Sequence, residues 1–291
     1  MKISIFSACP ELFDGGTGYQ DAVRCSANFT AAFNRVKRLG GQGIELAMCD
    51  PADFDRKALA TAIDETGMTI SMLGNYYWCT ALGMNMLSPD ERVARKSVDM
   101  FKQAIEIGAP YGIPAGLGML RGSAPDGGHG GFGHTLAYYE DKFVEIMKEV
   151  ADHAEKVKGF FCVEPQTRFS TNMYNNSRQA LKLLERVGSD RFKITLDLKQ
   201  MYVEEDIYQA LVACRGVMYN LHFMDADTLA PCHSAGILDF AGIIELLSAI
   251  DYDGWIVMPA IVAKQDTERT QDSAIRQSVE YIGGLIERFR K

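Results

Sequence analysis

The sequence lacks the features that mark several large classes of protein. No apolar run reaches 18 residues, so no membrane span is predicted. No run of five basic residues occurs, and the formal net charge is −8. Nucleic acids and anionic membranes attract clusters of Lys and Arg, so neither is expected as the main partner. The N-terminal stretch MKISIFSACPELF also lacks the long apolar segment and small-residue cleavage site of a secretory signal.

Paired cysteines are missing as well. The seven cysteines are odd in number, form no CxxC pair and are scattered over Cys9, Cys25, Cys49, Cys79, Cys162, Cys214 and Cys232. This pattern is typical of reduced thiols rather than of disulfides or a zinc knuckle, and it predicts a cytoplasmic protein. A phosphate-binding P-loop and a Gly-x-Ser-x-Gly nucleophile turn are also absent from the sequence.

What remains is a repeated alternation of short apolar strands and amphipathic helices. The predicted strands are Ile3–Phe6, Gly43–Ala47, Thr69–Leu73, Ile113–Gly118, Phe160–Val163, Lys193–Leu196, Val217–Leu221 and Trp255–Met258. Alternation of this kind predicts an α/β protein with parallel strands, either an open doubly wound sheet or a closed barrel. Eight repeats in 291 residues, with no Gly-x-Gly-x-x-Gly after the first strand, favour a single (β/α)8 TIM barrel over residues 1–291.

Three consecutive predicted strands end on side chains that can bind a metal. These are Glu164 after FFCV, Asp197 after KITL and His222 after MYNL. Active sites of such barrels lie at the carboxyl ends of the strands, so these three groups should meet there. A single acid at a strand end is often only a helix cap, but two carboxylates and an imidazole in succession favour a divalent-cation site.

Several stretches resemble the xylose isomerase-like barrel family, which includes D-tagatose and D-psicose epimerases, hydroxypyruvate isomerases and inosose-handling enzymes. They are GLGMLRG, VEPQTRFSTN, LLERVGSDRFKITLDLKQMYVEED, LHFMDADTLAP, GILDF and YDGWIVM, in matching order and spacing. In that family two glutamates, an aspartate and a histidine hold a divalent metal, and the glutamates move a proton beside a carbonyl.

The resemblance implies site residues for this chain. Glu164 would be a metal ligand and the proton-transfer group, with Asp197 and His222 as further ligands and Mn²⁺ as the expected metal, Mg²⁺ or Co²⁺ being alternatives. Arg168 matches an arginine that would orient Glu164, and Asp225 would contact a sugar substrate. Relatives of this kind form dimers or tetramers, or act with a partner subunit, so an oligomer is also expected.

The sequence departs from the family pattern at three positions. Pro259 stands where the second glutamate is expected, Gln200 replaces a sugar-binding histidine, and Thr228 replaces an arginine. Proline offers no ligand and no base, so the loss predicts weaker metal binding and an impaired two-base epimerisation.

Other residues are candidate substrate contacts. Lys199 and His233 would reach the same rim, and Glu45 would lie at the pocket floor or balance a neighbouring charge. Trp78, with the residues at 75–77, would form an aromatic wall. Arg121 opens a glycine-rich stretch, residues 121–133, which is predicted to be either a flexible connection without a role or a lid that contacts substrate.

Two functions of different kinds follow. The first is a metal-assisted isomerase, epimerase or lyase that acts on a sugar, polyol or sugar-derived ketone. The second is a barrel without that catalysis, which binds a sugar or serves as a scaffold or C-glycoside-cleaving subunit in a complex. An abasic-site endonuclease would need more metal-binding histidines than the five present and a basic groove.

Overall fold

The computed structural model describes residues 1–7, 29–80, 82–128, 134–227, 230–231, 236–258 and 268–290. Within these residues eight parallel strands close into a barrel, each paired with the next along the chain. The strands are β1 (Lys2–Ser7), β2 (Gly43–Ala47), β3 (Thr69–Gly74), β4 (Ala115–Leu117), β5 (Phe161–Val163), β6 (Phe192–Asp197), β7 (Met218–His222) and β8 (Trp255–Met258). The first strand pairs with the last, Ile3 lying opposite Ile256, which confirms the barrel and removes the open-sheet alternative.

Helices connect these strands on the outside of the barrel. Those described are α1 (Phe29–Arg38), α2 (Arg56–Thr66), α3 (Tyr76–Thr80), α4 (Glu91–Gly108), α5 (Leu136–Val157), α6 (Ser177–Val187), α7 (Leu198–Glu204), α8 (Ile207–Ala213), α9 (Phe240–Ala249) and α10 (Glu268–Arg288). None of the described helices is long and apolar enough to span a membrane.

Helix α2 shows how local sequence sets these boundaries. The Asp55 carboxylate accepts hydrogen bonds from the backbone N–H groups of Lys57 and Ala58, which the first helical turn leaves without partners. Gly67 ends the helix at a φ of 62°, a left-handed conformation that glycine adopts without steric cost. Both residue types are common sequence signals for helix ends.

Buried aromatic residues form part of the layer between barrel and helices. The Phe161 ring on β5 lies 4.5 Å from that of Phe192 on β6 and 5.8 Å from that of Phe101 on α4. These stacked and edge-to-face contacts fix α4 against the strands that carry the polar residues described below.

The barrel interior is tightly packed at its amino-terminal end. A Cβ added to Gly43 would lie 2.6 Å from the Trp255 ring, so this position on β2 leaves room for that ring. Lys2 on β1 places its ammonium 5.2 Å from the centre of the same ring. The tryptophan therefore links β8, β1 and β2 at the end of the barrel opposite to the polar cluster.

Candidate metal centre and cavity

Glu164, Asp197 and His222 meet at the carboxyl end of the barrel, as the sequence predicts. Asp197 and His222 are the last residues of neighbouring strands and lie opposite each other in the register, while Glu164 directly follows β5. His222 Nδ1 lies 3.7 Å from Glu164 Oε1 and 3.6 Å from Asp197 Oδ2. One donor atom from each of the three residues lies within 4.8 Å of the others.

The second nitrogen of His222 faces a fourth buried acid. Its Nε2 lies 3.0 Å from Glu45 Oε2, and Asn220 Nδ2 lies 3.3 Å from the same oxygen. Glu45 is only 2% exposed, so an ionised carboxylate there needs such partners. Because Nε2–H donates to Glu45, the lone pair of Nδ1 is directed at the two carboxylates when the imidazole is neutral.

The two carboxylate oxygens of Asp197 make different contacts. Oδ1 accepts hydrogen bonds from the backbone N–H groups of Lys199 (2.8 Å) and Gln200 (3.2 Å) and so begins α7, while Oδ2 faces His222. The helix-cap and metal-ligand interpretations of this residue are therefore compatible.

Burial and neighbouring charges shift two pKa values in this cluster. Burial raises the pKa of Glu164 to about 7, with the negative charges of Asp197 and Glu45 adding to the rise and the charges of His222 and Arg121 opposing it. For His222 burial lowers the pKa, but Glu45, Glu164 and the hydrogen bond to Asp197 raise it, and the net pKa lies well above its ordinary value. A carboxylate that titrates near neutral pH suits reversible proton transfer.

The donor set fits a hard or borderline divalent cation. Two donors each about 2.1–2.3 Å from one ion lie about 3–4.5 Å apart, and the measured separations from Nδ1 fall in this interval. Two carboxylate oxygens and one imidazole nitrogen suit Mn²⁺, Mg²⁺ or Co²⁺ better than a soft ion that prefers thiolates. A cation there would also offset the charge of the clustered carboxylates.

A cavity of about 420 Å³ lies beside these groups. Its described lining includes all three candidate ligands and Glu45, together with Lys199 and Gln200 from α7. This volume suits a small-molecule ligand. Further lining residues are Phe6, Met72, Gly74, Asn75, Tyr76, Gly116, Gly118, Met119, Gln166, Ser170, Met224, Val257 and Met258.

Four expectations about individual side chains need correction. Trp78 is fully buried and donates from Nε1 to the Cys49 carbonyl at 2.6 Å, so it is a core residue and does not line the cavity. Arg168 does not contact Glu164; its Nη2 lies 2.7 Å from Glu204 Oε2 in an exposed ion pair.

Asp225 and Arg121 both make hydrogen bonds to the backbone. Asp225 is fully buried and accepts from the backbone N–H groups of Asp227 (2.8 Å) and of Ile237 and Leu238 (3.2 Å each).

Arg121 is also fully buried, so it is not an exposed lid residue. Its guanidinium donates to the carbonyl oxygen of Glu164 and, at 3.4 Å, to that of Tyr174. Burial lowers the pKa of Arg121 to about 10. Arg121 thus holds the segment after β4 against the backbone of Glu164.

Several expectations lie outside the described residues. They concern Pro259, Thr228 and His233, and residues 129–133 of the glycine-rich stretch. Gln200 is described: it lines the cavity, and its Oε1 accepts from the Thr167 backbone N–H at 2.9 Å.

Sequence reasoning missed Gln166 and Ser170 as cavity residues. Both belong to the segment after β5, which folds around Asn175, whose Nδ2 donates to the carbonyl oxygens of Gln166 and Thr171 at 2.8 Å. No local pattern reveals which side chains of such a loop face inward.

The fold and the site define a (β/α)8 barrel with a carboxylate–imidazole cluster at its catalytic end. The profile of the family described as xylose isomerase-like TIM barrel matches residues 33–283. The chain belongs to this family.

Curated relatives are sugar epimerases. L-ribulose 3-epimerase from Mesorhizobium japonicum is 26% identical over 225 residues, which cover 75% of this chain and 70% of the relative. Fructoselysine 3-epimerase from Escherichia coli O157:H7 is 23% identical over 272 residues, 89% of this chain and 91% of the relative.

Solved structures support the fold. The 3-keto-D-glucoside 4-epimerase of E. coli superposes with a TM-score of 0.78 at 18% identity, covering 98% of this chain and 99% of that one. A D-psicose 3-epimerase crystallised with D-fructose superposes with a TM-score of 0.77 at 20% identity and the same coverage.

Proposed function

We propose that the protein is a divalent-metal-assisted isomerase or epimerase that acts on a sugar or sugar-derived ketone by proton transfer beside the carbonyl. The observation that carries the proposal is the convergence of Glu164, Asp197 and His222 beside a cavity, with Nδ1 of His222 facing both carboxylates. The epimerase activity of the relatives supports the same class of reaction.

Each residue has a role in this proposal. Glu164, Asp197 and His222 would hold Mn²⁺ or a similar cation, which supplies positive charge that polarises the substrate's carbonyl and makes the neighbouring C–H more acidic. Glu164 removes the proton from that carbon and returns a proton to it. Arg121 keeps the Glu164 backbone in place, and Gln200 lies at the cavity wall.

Metal content and proton exchange test the proposal. We expect the purified protein to hold a divalent metal by elemental analysis, to lose thermal stability in EDTA and to regain it with Mn²⁺, following RT ln(1 + [L]/Kd). In D₂O the Mn²⁺-loaded protein should exchange the C3 hydrogen of at least one of a set of ketoses, as followed by NMR.

Glu164→Gln is the decisive variant. Loss of the general base should lower the exchange rate by about 10²–10⁴-fold and weaken the Mn²⁺-dependent rise in melting temperature. Glu185→Gln makes the same chemical change at an exposed position on α6 and should match the wild type. Absence of any melting shift at millimolar Mn²⁺, together with absence of exchange, would contradict a metal-assisted mechanism.

A further inference from the structure

The cavity carries charge of both signs at different places on its wall. Its acidic groups, Glu45, Glu164 and Asp197, are gathered around His222. Among the described lining residues the one lysine or arginine is Lys199, from the first turn of α7. The rest of the described wall is apolar or uncharged.

The ammonium of Lys199 is not used within the described structure. No described carboxylate lies at ion-pair distance from it. The nearest candidates in sequence are engaged elsewhere: Asp197 contacts the Lys199 backbone N–H and His222, and Glu204 pairs with Arg168 at 2.7 Å. Lys199 is half-buried and lines the cavity.

We propose that Lys199 is the binding site for an anionic group of the substrate, a carboxylate or a phosphate. This inference rests on the proposed function, because it identifies the substrate as an acidic keto-sugar rather than a neutral one. A bound divalent cation offsets most of the acidic cluster's charge, so an anion can enter the cavity. An ammonium in a partly enclosed, largely apolar site attracts that anion more strongly than it would in bulk water.

The backbone that carries Lys199 is held in place. Gln200 is held by its bond to the Thr167 N–H, and Asp197 fixes the backbone of the first turn of α7, so the stem of Lys199 starts from a rigid point. Lysine offers a compact point charge with three donors, which accommodates carboxylate and phosphate alike.

Titration calorimetry with the Mn²⁺-loaded full chain tests the inference. The probes are D-fructose, D-fructuronate, in which a carboxylate replaces the terminal hydroxymethyl group, and D-fructose 6-phosphate. We expect at least one anionic probe to bind at least tenfold more tightly than D-fructose, with the preference shrinking as salt is raised. The better of the two anions tells whether the site takes a carboxylate or a phosphate.

Two variants assign the preference to Lys199. Lys199→Met keeps much of the apolar stem and removes the charge, and it should abolish the preference for the anion. Lys199→Arg should retain most of it. Equal affinity for all probes, no binding of either anion, or an unchanged preference in Lys199→Met would overturn the inference. The salt dependence of the wild type tests it independently of how well either variant folds.

Failure of this inference can be told apart from failure of the proposed function. A protein that binds Mn²⁺ and exchanges protons of neutral ketoses without any anion preference is an epimerase-type enzyme in which Lys199 has no such role. A protein that binds the anion through Lys199 but shows no proton exchange retains the binding site and contradicts the catalytic proposal.

Discussion

His222 makes different contacts with its two ring nitrogens. Nε2 faces Glu45 from β2, while Nδ1 faces Glu164 and Asp197 from β5 and β6. A neutral imidazole can donate from one nitrogen and coordinate through the other, and a carboxylate partner fixes which nitrogen does which. We therefore expect Glu45 to be a positioning residue for the candidate metal centre.

Replacing Glu45 tests this role. Glu45→Gln keeps the shape and removes the charge, so we expect the Mn²⁺ dissociation constant to rise about 10–100-fold, the usual effect of losing a partner behind a metal ligand. Titration with Mn²⁺, followed by electron paramagnetic resonance, measures the constant.

Thr195→Val is the matched control for that change. Thr195 lies in the same barrel interior, where its Oγ1 contacts the Met72 sulfur at 3.5 Å, but it touches none of the metal-binding groups. The affinity of the Thr195→Val protein for Mn²⁺ should equal that of the wild type. An unchanged constant in Glu45→Gln would show that His222 is positioned without the buried carboxylate.

At this scale the sequence predicts which residue types meet, but not which way every side chain points. Strand ends place Glu164, Asp197 and His222 together because parallel strands end at one rim. Trp78 and Arg121 follow strands that end at this rim, so the sequence predicts that both side chains reach the cavity. Both are buried in the protein instead, because their N–H groups donate to backbone carbonyl oxygens. Those partners lie 29 and 43 residues away in the chain, so no local pattern reveals them.

Among the elements, the strands are the ones that the sequence predicts closely. Strands β2 and β8 have the predicted bounds, because apolar runs between turn residues define them well. The seven-residue helices α7 and α8 are harder to recognise in the sequence. Each is too short to show a periodic apolar face, although Asp197 and Asp206 cap them in the usual way.

A charged cluster joins α4 to α5 on the outside of the barrel. Arg95 lies 2.6 Å from Glu149 and also 2.6 Å from Asp99, and Lys102 bonds to Glu149. The hydrogen bond from Arg95 is the main cause that lowers the pKa of Glu149 to about 2, with Lys102 contributing. Glu149 is 43% exposed, so solvent screens part of this stabilisation.

Acid should weaken this connection between α4 and α5. Because folding lowers the pKa of Glu149, its contribution is present above the ordinary glutamate pKa and is lost as the pH falls toward about 2. We expect Glu149→Gln to lower the free energy of unfolding at pH 7 and to make the loss of stability between pH 5 and pH 3 shallower than in the wild type. Urea denaturation at several pH values measures both effects.

Glu145 provides the comparison for Glu149. It lies on the same helix, but its side chain is 71% exposed and pairs only with Lys148 three residues away. Glu145→Gln should leave the pH dependence unchanged. Equal pH profiles for Glu149→Gln and the wild type would show that the cluster contributes no net stability.

In the whole molecule, the cavity and the tightly packed region lie at opposite ends of the barrel. The candidate metal ligands and the cavity lie where the strands end, whereas Gly43 and Trp255 pack where the strands begin. Barrels of this kind commonly keep chemistry at one face and stability at the other. A change at the amino-terminal end should therefore alter stability without altering the site.

Gly43→Ala tests that separation. Its Cβ would lie 2.6 Å from the Trp255 ring, so the ring or the strand must move, and we expect a loss of about 1–3 kcal/mol in the free energy of unfolding. The Mn²⁺ dissociation constant should not change. Guanidinium denaturation and Mn²⁺ titration give the two quantities.

Gly284→Ala is the control for Gly43→Ala. Gly284 lies on the exposed face of α10, where an added Cβ meets nothing within 4 Å, so alanine should keep or increase stability. A Gly43→Ala protein as stable as the wild type would mean that the Trp255 ring can move without lowering the free energy of unfolding. A large change in its Mn²⁺ affinity would contradict the separation of the two ends.

The placement of the two tryptophans gives the protein a built-in pair of optical reporters. Trp78 is fully buried close to the carboxyl ends of the strands, and Trp255 lies where β8 meets β1 and contacts Gly43. Replacing either one by phenylalanine leaves a single emitter at a known end of the barrel. Fluorescence from the two single-tryptophan proteins therefore distinguishes loosening around the cavity from opening of the barrel between β8 and β1.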